Sequence, residues 1–448
     1  MFKNAKMKGL ISGYNEPFIE ISDVYDHQWA DEDKKIAEKM DQGMVDYCDI
    51  DGKKYFISYG VGAYGITYIP KLVQNYLPDG ELPRTTDELK KLCADIVSAG
   101  SRYKPFIFSG KTDYWYQIMN TWWAQYEGRD NYDRYFRGKV IDEETQTEMF
   151  SPKIFSQTGR LRAYQAANDF IGLSDDTNDL VNWQGLGTAK PADRQYIVAG
   201  SSSLDFMAAQ RHYFEGQAAM MVNGCWLENE MTGIFPNGFP NSIDMMQVPV
   251  ISAIRENLPD KSVESDAELS ALIKAIDAGS TELSGEGYSV TQRDFDRVKE
   301  ARLQMYITGE AQMGIIPATT NTPNIAKTFL KFMYSDDGIE AYGSALSGQV
   351  LPVVGYDYEQ SDVVVHNASD MLKTSMKMVA NSSLLFIPRN DPLVYDAGLP
   401  PLANVEVPFA AQYEKDRKTP SRLFMETVTM YSTGTAWQDL LKRAGHRV

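Results

Sequence analysis

The stretch YFEGQAAMMVNGCWLENEM, Tyr213 to Met231, constrains this chain more than any other. A polar, helix-like segment ends at Gly216, and the apolar run Ala218 to Val222 follows it. A short, continuous apolar run of this kind reads as a buried strand. It breaks at Asn223-Gly224-Cys225-Trp226, so a Trp stands beside a Gly at the strand end, just ahead of Glu228 and Glu230. A buried strand that ends on an aromatic among acids needs a reason.

The surroundings are α/β in pattern. RTTDELKKLCADIVSAG is the clearest helix: Thr85 and Glu88 form a capping box, and Leu89, Leu92, Cys93, Ile96 and Val97 recur at helical spacing. Gly100 can stop it in a left-handed turn, and Cys93 reads as core. Upstream, Tyr55, Ile57 and Tyr59 alternate like a strand and YGITYI is a second apolar run; downstream, KPFIFSG is another strand. Strand, helix, strand is the α/β order. Further helices are predicted at NIAKTFLKFMYSDDGIEAYGSALSG, where Ile325, Phe329, Phe332 and Met333 share a face and Ser335 can cap the second member. Others fall at the C-terminal end, with Trp437, Leu440 and Leu441 on one side. Between Asn257 and Gly314 the composition turns charged and amphipathic, which predicts a surface insertion.

At 448 residues the chain exceeds one core, and about 100–200 residues per domain gives two or three domains. Its net charge of -17 argues against nucleic acid and anionic membrane, and suits a neutral or cationic ligand. Cys48, Cys93 and Cys225 form no CxxC. His27, His212, His366 and His446 are scattered, so neither a disulfide framework nor a zinc site is expected, and no metal or cofactor. No apolar run is long enough to span a bilayer, and MFKNAKMKGLISGYNEPF lacks the apolar core and cleavage site of a signal peptide.

Several motifs have plain explanations. GVGAYG, Gly60 to Gly65, matches a dinucleotide fingerprint by letter, but strand-like flanks on both sides favour glycines that ease a strand crossing. Glu228 with Glu230 and Asp336 with Asp337 are carboxylate pairs of the sort that 61 acidic residues produce by chance. The aromatics of KTDYWYQIMNTWWAQYEG say more. Trp115, Met119, Trp122 and Trp123 share a helical face, and core packing is the better reading of Trp122 and Trp123. Asp113, Tyr114 and Trp115 stand where a strand passes into a helix, a place that often lines a cleft. An aromatic plate beside a carboxylate matches both the C–H face and the hydroxyl rim of a sugar ring.

YFEGQAAMMVNGCW resembles the F-x-x-G-[KQE]-x-A-M-x-x-x-G-x-W signature of family 1 extracellular solute-binding proteins, the carbohydrate-capturing subunits of bacterial ABC importers. Gly216, Gln217, Ala219, Met220, Gly224 and Trp226 fill its positions, with Tyr213 where Phe is usual. YFISYGVGAYGITYIPKLV is similar to the strand pair ahead of the family's YNKDLF, with Ile69-Pro70 in place of Asn-Lys. LPRTTDELKKLC, NIAKTFLKFMYSDDGIEAYGSALSGQVLPV and AWQDLLKRAG resemble further family segments in the family's order.

The resemblance implies a two-lobed, periplasmic-binding-protein-like α/β fold of type II, mixed sheets flanked by helices with a cleft between the lobes. Mapped here, lobe 1 would hold 1–112 and 248–347, with 257–314 as its helical insertion. Lobe 2 would hold 113–247 and 348–448. The expected function is capture of a sugar or oligosaccharide for an ABC permease, by a monomer without covalent chemistry, with closure around the ligand as the signal. The location implied is extracellular or periplasmic, with a lipid anchor as a family trait. Nothing matches the family's signal peptide and first strand–helix–strand unit, so a truncated chain is expected. Trp226 would be the stacking platform, with Asp113, Tyr114 and Trp115 beside it, Asn223 and Gly224 at the strand end, and Tyr59 and Tyr64 from the first lobe. Arg389 and Asp391 are further candidates that a turn ion pair explains equally well, and Tyr68 reads as core. Two alternatives stay open: an extracellular carbohydrate-active enzyme, and a binding protein for a peptide or cationic solute.

Overall fold

The apolar run forms the strand Ala218–Gly224, and every residue in it is buried. Lys104–Phe106 lies parallel to it, with Lys104 opposite Ala218 and Phe106 opposite Met220. Tyr64–Tyr68 flanks its other side in the opposite direction: the Ile69 N–H donates to the Ala219 carbonyl at 2.9 Å and Thr67 Oγ1 donates to the Met221 carbonyl at 2.7 Å. Asp244–Met246 closes the sheet, antiparallel to Tyr64–Tyr68. The sheet is thus mixed, and its two central strands are enclosed along their length, which is why they read as continuous apolar runs. Gly65 lets the last pair close up, because a Cβ there would stand 2.7 Å from Met245 Cγ and 2.8 Å from the Met246 carbonyl oxygen. GVGAYG is therefore a strand crossing between Phe56–Gly60 and Tyr64–Tyr68, with no helix opening on it.

The computed structural model describes residues 18–50, 52–110, 114–171, 196–282, 289–307, 312–345, 351–354, 368–388, 391–402 and 418–446. The chain forms two compact units. One comprises Tyr64–Asn223, Glu230–Gln304 and Asp391–Val448, and the other Met1–Ala63, Gly224–Asn229 and Met305–Asn390. This division differs from the expected lobe boundaries. Pairing of Tyr64–Tyr68 and Lys104–Phe106 into the sheet of Ala218–Gly224 draws residues 64–110 into the unit of that sheet.

In the larger unit, the helix Thr86–Ser98 starts where Thr85 Oγ1 accepts the Glu88 N–H at 3.1 Å, while the Glu88 carboxylate accepts the Arg84 N–H at 2.7 Å. It ends at Gly100, with φ +67°, and buries Cys93 with Leu89, Leu92 and Ile96. Burial alone pushes the Cys93 thiol well above its usual range. The helix Trp115–Glu127 packs on Thr158–Ile171, and together they hold the aromatic core. Trp122 and Trp123 are fully buried, as expected of core residues. The Trp122 indole N–H donates to the Pro249 carbonyl at 3.0 Å. Trp123 sits among Tyr132, Tyr135 and Phe136, with the buried Arg160 guanidinium 5.7 Å from its ring centre.

The charged stretch after Asn257 forms the helices Asp266–Asp277 and Gln292–Leu303, which belong to this larger unit and not to the lobe expected. A half-buried charge, Arg297, ties the stretch to this unit, and a buried one, Asp294, holds the stretch together. Arg297 donates to the Gln125 carbonyl and, at 3.0 Å, to the Tyr126 carbonyl, while buried Asp294 accepts the Asp260 and Ser262 N–H groups at 2.9 and 2.7 Å.

The smaller unit pairs Phe56–Gly60 with Gln312–Ile315 and Gln304–Tyr306 with Ser383–Leu385. Ser335 Oγ accepts the Gly338 N–H at 3.0 Å and caps Asp336–Ala345 as expected. Asp336 is taken up by a structural pair with buried Lys39, Nζ to Oδ1 2.8 Å. The helix Pro323–Met333 turns its most apolar side outward: Ile325, Phe329 and Phe332 are 71%, 60% and 44% exposed, and Leu330 is its buried anchor. Its orientation follows from Lys327 and Lys331, both paired with Asp23, and from Trp29, whose indole N–H donates to the Lys331 carbonyl at 3.3 Å. Among the described residues no helix is long and apolar enough to cross a membrane.

Candidate ligand-binding residues

Strand direction collects several candidates of the larger unit at one sheet edge. Ala218–Gly224 ends there, Lys104–Phe106 ends there because it runs parallel, and Tyr64–Tyr68 begins there because it runs antiparallel. Tyr64 thus meets Tyr114, ring centres 5.3 Å apart, and Tyr114 meets Phe206 edge-on at 5.1 Å. Tyr64 is buried, whereas Tyr114 and Phe206 are half-buried and form the accessible part of the cluster. Phe206 was not singled out from sequence. The signal was present in Asp205, whose carboxylate accepts the Ala208 N–H at 2.8 Å and starts the helix Phe206–Phe214 on that aromatic.

Gly110 makes this arrangement possible. A Cβ on Gly110 would fall 2.0 Å from the Ser202 carbonyl oxygen, so only Gly lets the loop after Lys104–Phe106 cross the Ser201–Ser203 turn. Ser109 Oγ donates to the Leu204 carbonyl at 3.1 Å and Gly110 N–H to the Ser201 carbonyl at 3.2 Å, which locks the crossing. Gly110→Ala is expected to cost about 1–3 kcal/mol by overpacking. Urea unfolding checks this, and an unchanged midpoint would contradict the crossing as described.

Three other candidates of this unit are placed elsewhere than expected. Trp115 does not offer a wall: it is fully buried between Phe106 and Phe170, ring centres 5.3 and 6.2 Å away, because the first turn of its helix faces the core. Asn223 is fully enclosed, and its amide donates to Met221 Sδ at 3.8 Å. Asp391 serves as an N-cap, accepting the Leu393 N–H at 2.8 Å. Asp113 and Arg389 lie outside the described residues. Tyr68 is buried as expected, its hydroxyl donating to Asp244 at 3.3 Å.

The smaller unit holds Gly224, Trp226 and Tyr59. After Gly224 the chain turns at Cys225 and Trp226 into the helix Leu227–Met231. The Cys225 N–H donates to the Ala63 carbonyl at 3.0 Å, and its thiol is buried, which pushes it up to about 12. Cys225 therefore points inward, and Trp226 is left half-buried. The Trp226 six-membered ring lies over Gly224: an ideal Cβ there would be 2.3 Å from Cη2, 2.4 Å from Cζ2 and 2.5 Å from Cζ3. What the glycine admits is thus the Trp226 ring itself. Glu228 accepts from the Ser369 hydroxyl, and Ser369 in turn caps the helix Asp370–Ala380 by accepting the Leu372 N–H at 3.2 Å. The two acids diverge, since Glu230 belongs to the larger unit and accepts from the Gln210 amide at 2.7 Å. Tyr59 is half-buried in the smaller unit, close enough to Tyr342 to contribute, after burial, to raising that phenol above its usual range. Among the described residues no group of three His, Cys, Asp or Glu side chains could hold a metal.

No family model matches the chain, and no curated protein matches it. Solved structures do. The maltose-bound MalE3 of T. maritima superposes with a TM-score of 0.50 at 13% identity, over 88% of this chain and 76% of that one. A probable secreted solute-binding lipoprotein from Streptomyces coelicolor superposes with a TM-score of 0.50 at 10% identity, over 95% of this chain and 82% of that one. Identity this low carries the architecture and nothing finer, and the architecture agrees with the mixed, helix-flanked sheets described above. The chain has the solute-binding-protein fold.

Proposed function

We propose that this protein is a family 1 extracellular solute-binding protein that captures a sugar or oligosaccharide and delivers it to an ABC importer. It acts outside the cytoplasmic membrane, as a monomer, and returns its ligand chemically unchanged. The observation that carries the reading is the half-buried Trp226 indole, presented at the end of a fully buried strand by the Gly224-Cys225-Trp226 turn. An indole face matches the C–H face of a pyranose, and a neutral sugar meets no opposing charge on a chain of net charge -17. Within the same unit Tyr59 supplies further aromatic and hydroxyl surface. Support comes from the ordered family segments, from the fold, from maltose bound to the T. maritima protein, and from the description of the Streptomyces protein as secreted. A lipid anchor fits the same reading.

Thermal-shift screening against maltose, maltotriose, raffinose, galactose, a short peptide and spermidine tests the class of ligand. A shift with sugars alone is expected, together with unaltered sugar on chromatography afterwards. A shift confined to the peptide or spermidine, or release of smaller glycans, would replace the reading.

A further inference from the structure

We infer that Gly224 is a positioning residue for Trp226: its missing Cβ forms the seat that sets the tilt and height of the indole. The inference rests on Trp226 as the sugar platform and adds to it a residue that need not touch the sugar. Gly224 sits at the end of a strand and does not adopt the left-handed backbone region. Its requirement is therefore steric, not conformational. Three contiguous ring atoms, Cζ2, Cη2 and Cζ3, would lie 2.3 to 2.5 Å from a Cβ at this position. Carbon atoms in contact settle near 3.5–4.0 Å, so a single methyl would lift the ring by roughly 1 Å. The ring cannot simply slide away along the chain. Cys225, which joins it to the strand, is buried and tied to the Ala63 carbonyl, and Leu227 on its other side is fully buried. A displaced ring must therefore tilt, and a tilted plate no longer presents its face to a sugar at the same height. The same close approach makes ring size part of the design. A Phe at position 226 is shorter than indole, covers less of the Gly224 seat, and offers a platform lying elsewhere.

The test uses the full chain and six proteins: the parent, Gly224→Ala, Trp226→Phe, Trp226→Ala, and Gly224→Ala combined with each Trp226 variant. Near-ultraviolet circular dichroism, which needs no ligand, is expected to change in Gly224→Ala, and Gly224→Ala combined with Trp226→Phe should match Trp226→Phe alone. Thermal unfolding should show Gly224→Ala costing several degrees in the parent and little in a Trp226→Ala background, where the clashing ring is gone. Titration with maltotriose and raffinose should show Gly224→Ala weakening the bound sugar at least tenfold, with no further loss when added to Trp226→Ala. An unchanged dichroism spectrum, or an equal loss of stability in both backgrounds, would overturn the seat whatever the sugar data say. Normal sugar affinity in Gly224→Ala alongside a weak Trp226→Ala would also overturn it while leaving the platform intact. Full affinity in Trp226→Ala would instead remove the platform reading beneath it.

Discussion

Replacing Trp226 with Ala is expected to lower sugar affinity by about 100-fold while leaving the fold in place. One face of an indole offers a sugar roughly 100 Å² of apolar contact, which at about 25 cal/mol per Å² is ~2.5 kcal/mol, close to two decades in affinity. The cost to stability should be small by comparison, within about 1 kcal/mol, because the side chain is only half-buried and stands in a turn beyond the strand. Isothermal titration beside urea unfolding separates the two effects. Equal loss of both would mean that Trp226 is a packing residue, and its place in the G-x-W sequence would then need another explanation.

Replacing Trp122 with Ala is expected to do the reverse. Trp122 is fully buried, packs its ring against Trp115 and Phe170 at 6.5 and 6.1 Å, and satisfies its N–H on the Pro249 carbonyl. Truncation leaves a cavity between two helices and an unpaired carbonyl, with an expected loss of about 3–5 kcal/mol. That is a large part of the ~5–15 kcal/mol that holds an ordinary domain together, so a strongly lowered unfolding midpoint is predicted. Sugar affinity, measured cold enough for the variant to be folded, should stay within a few-fold of the parent. Trp122→Phe should recover part of the stability. If Trp122→Ala kept its midpoint and lost its ligand, the division between core and platform tryptophans would be wrong.

That division shows what the sequence could and could not convey. Continuous apolar runs at Ala218–Val222 and YGITYI announced enclosed strands, since period and run length report burial directly. Cys93, Trp122 and Trp123 were legible as core for the same reason. Trp115 lies in the core although it stands at a strand-to-helix edge, because that position says nothing about which way a side chain points, and its helix begins facing the core. Phe206 escaped notice because its neighbour in space, Tyr114, is far away in sequence and only the Gly110 crossing brings them together. The helix Pro323–Met333 carried a clear amphipathic pattern, yet ion pairs at Asp23 and the anchor Leu330 turn that apolar face outward. Patterning shows that a face exists; tertiary contacts decide what it meets. The charged stretch after Asn257 shows the complementary error, where surface-like composition hid the half-buried Arg297, which binds it to the unit of the four-stranded sheet, and the buried Asp294, which folds it on itself.

On the proposed reading this chain holds a sugar on Trp226 and does no chemistry to it. Isothermal titration of the full chain with maltotriose and raffinose, repeated on Trp226→Ala, addresses it most directly. Saturable one-to-one binding of at least one of these sugars by the parent is expected, with the sugar recovered intact afterwards and about 100-fold weaker binding by the variant. Binding of neither sugar, cleavage of either, or equal affinity in parent and variant would contradict it.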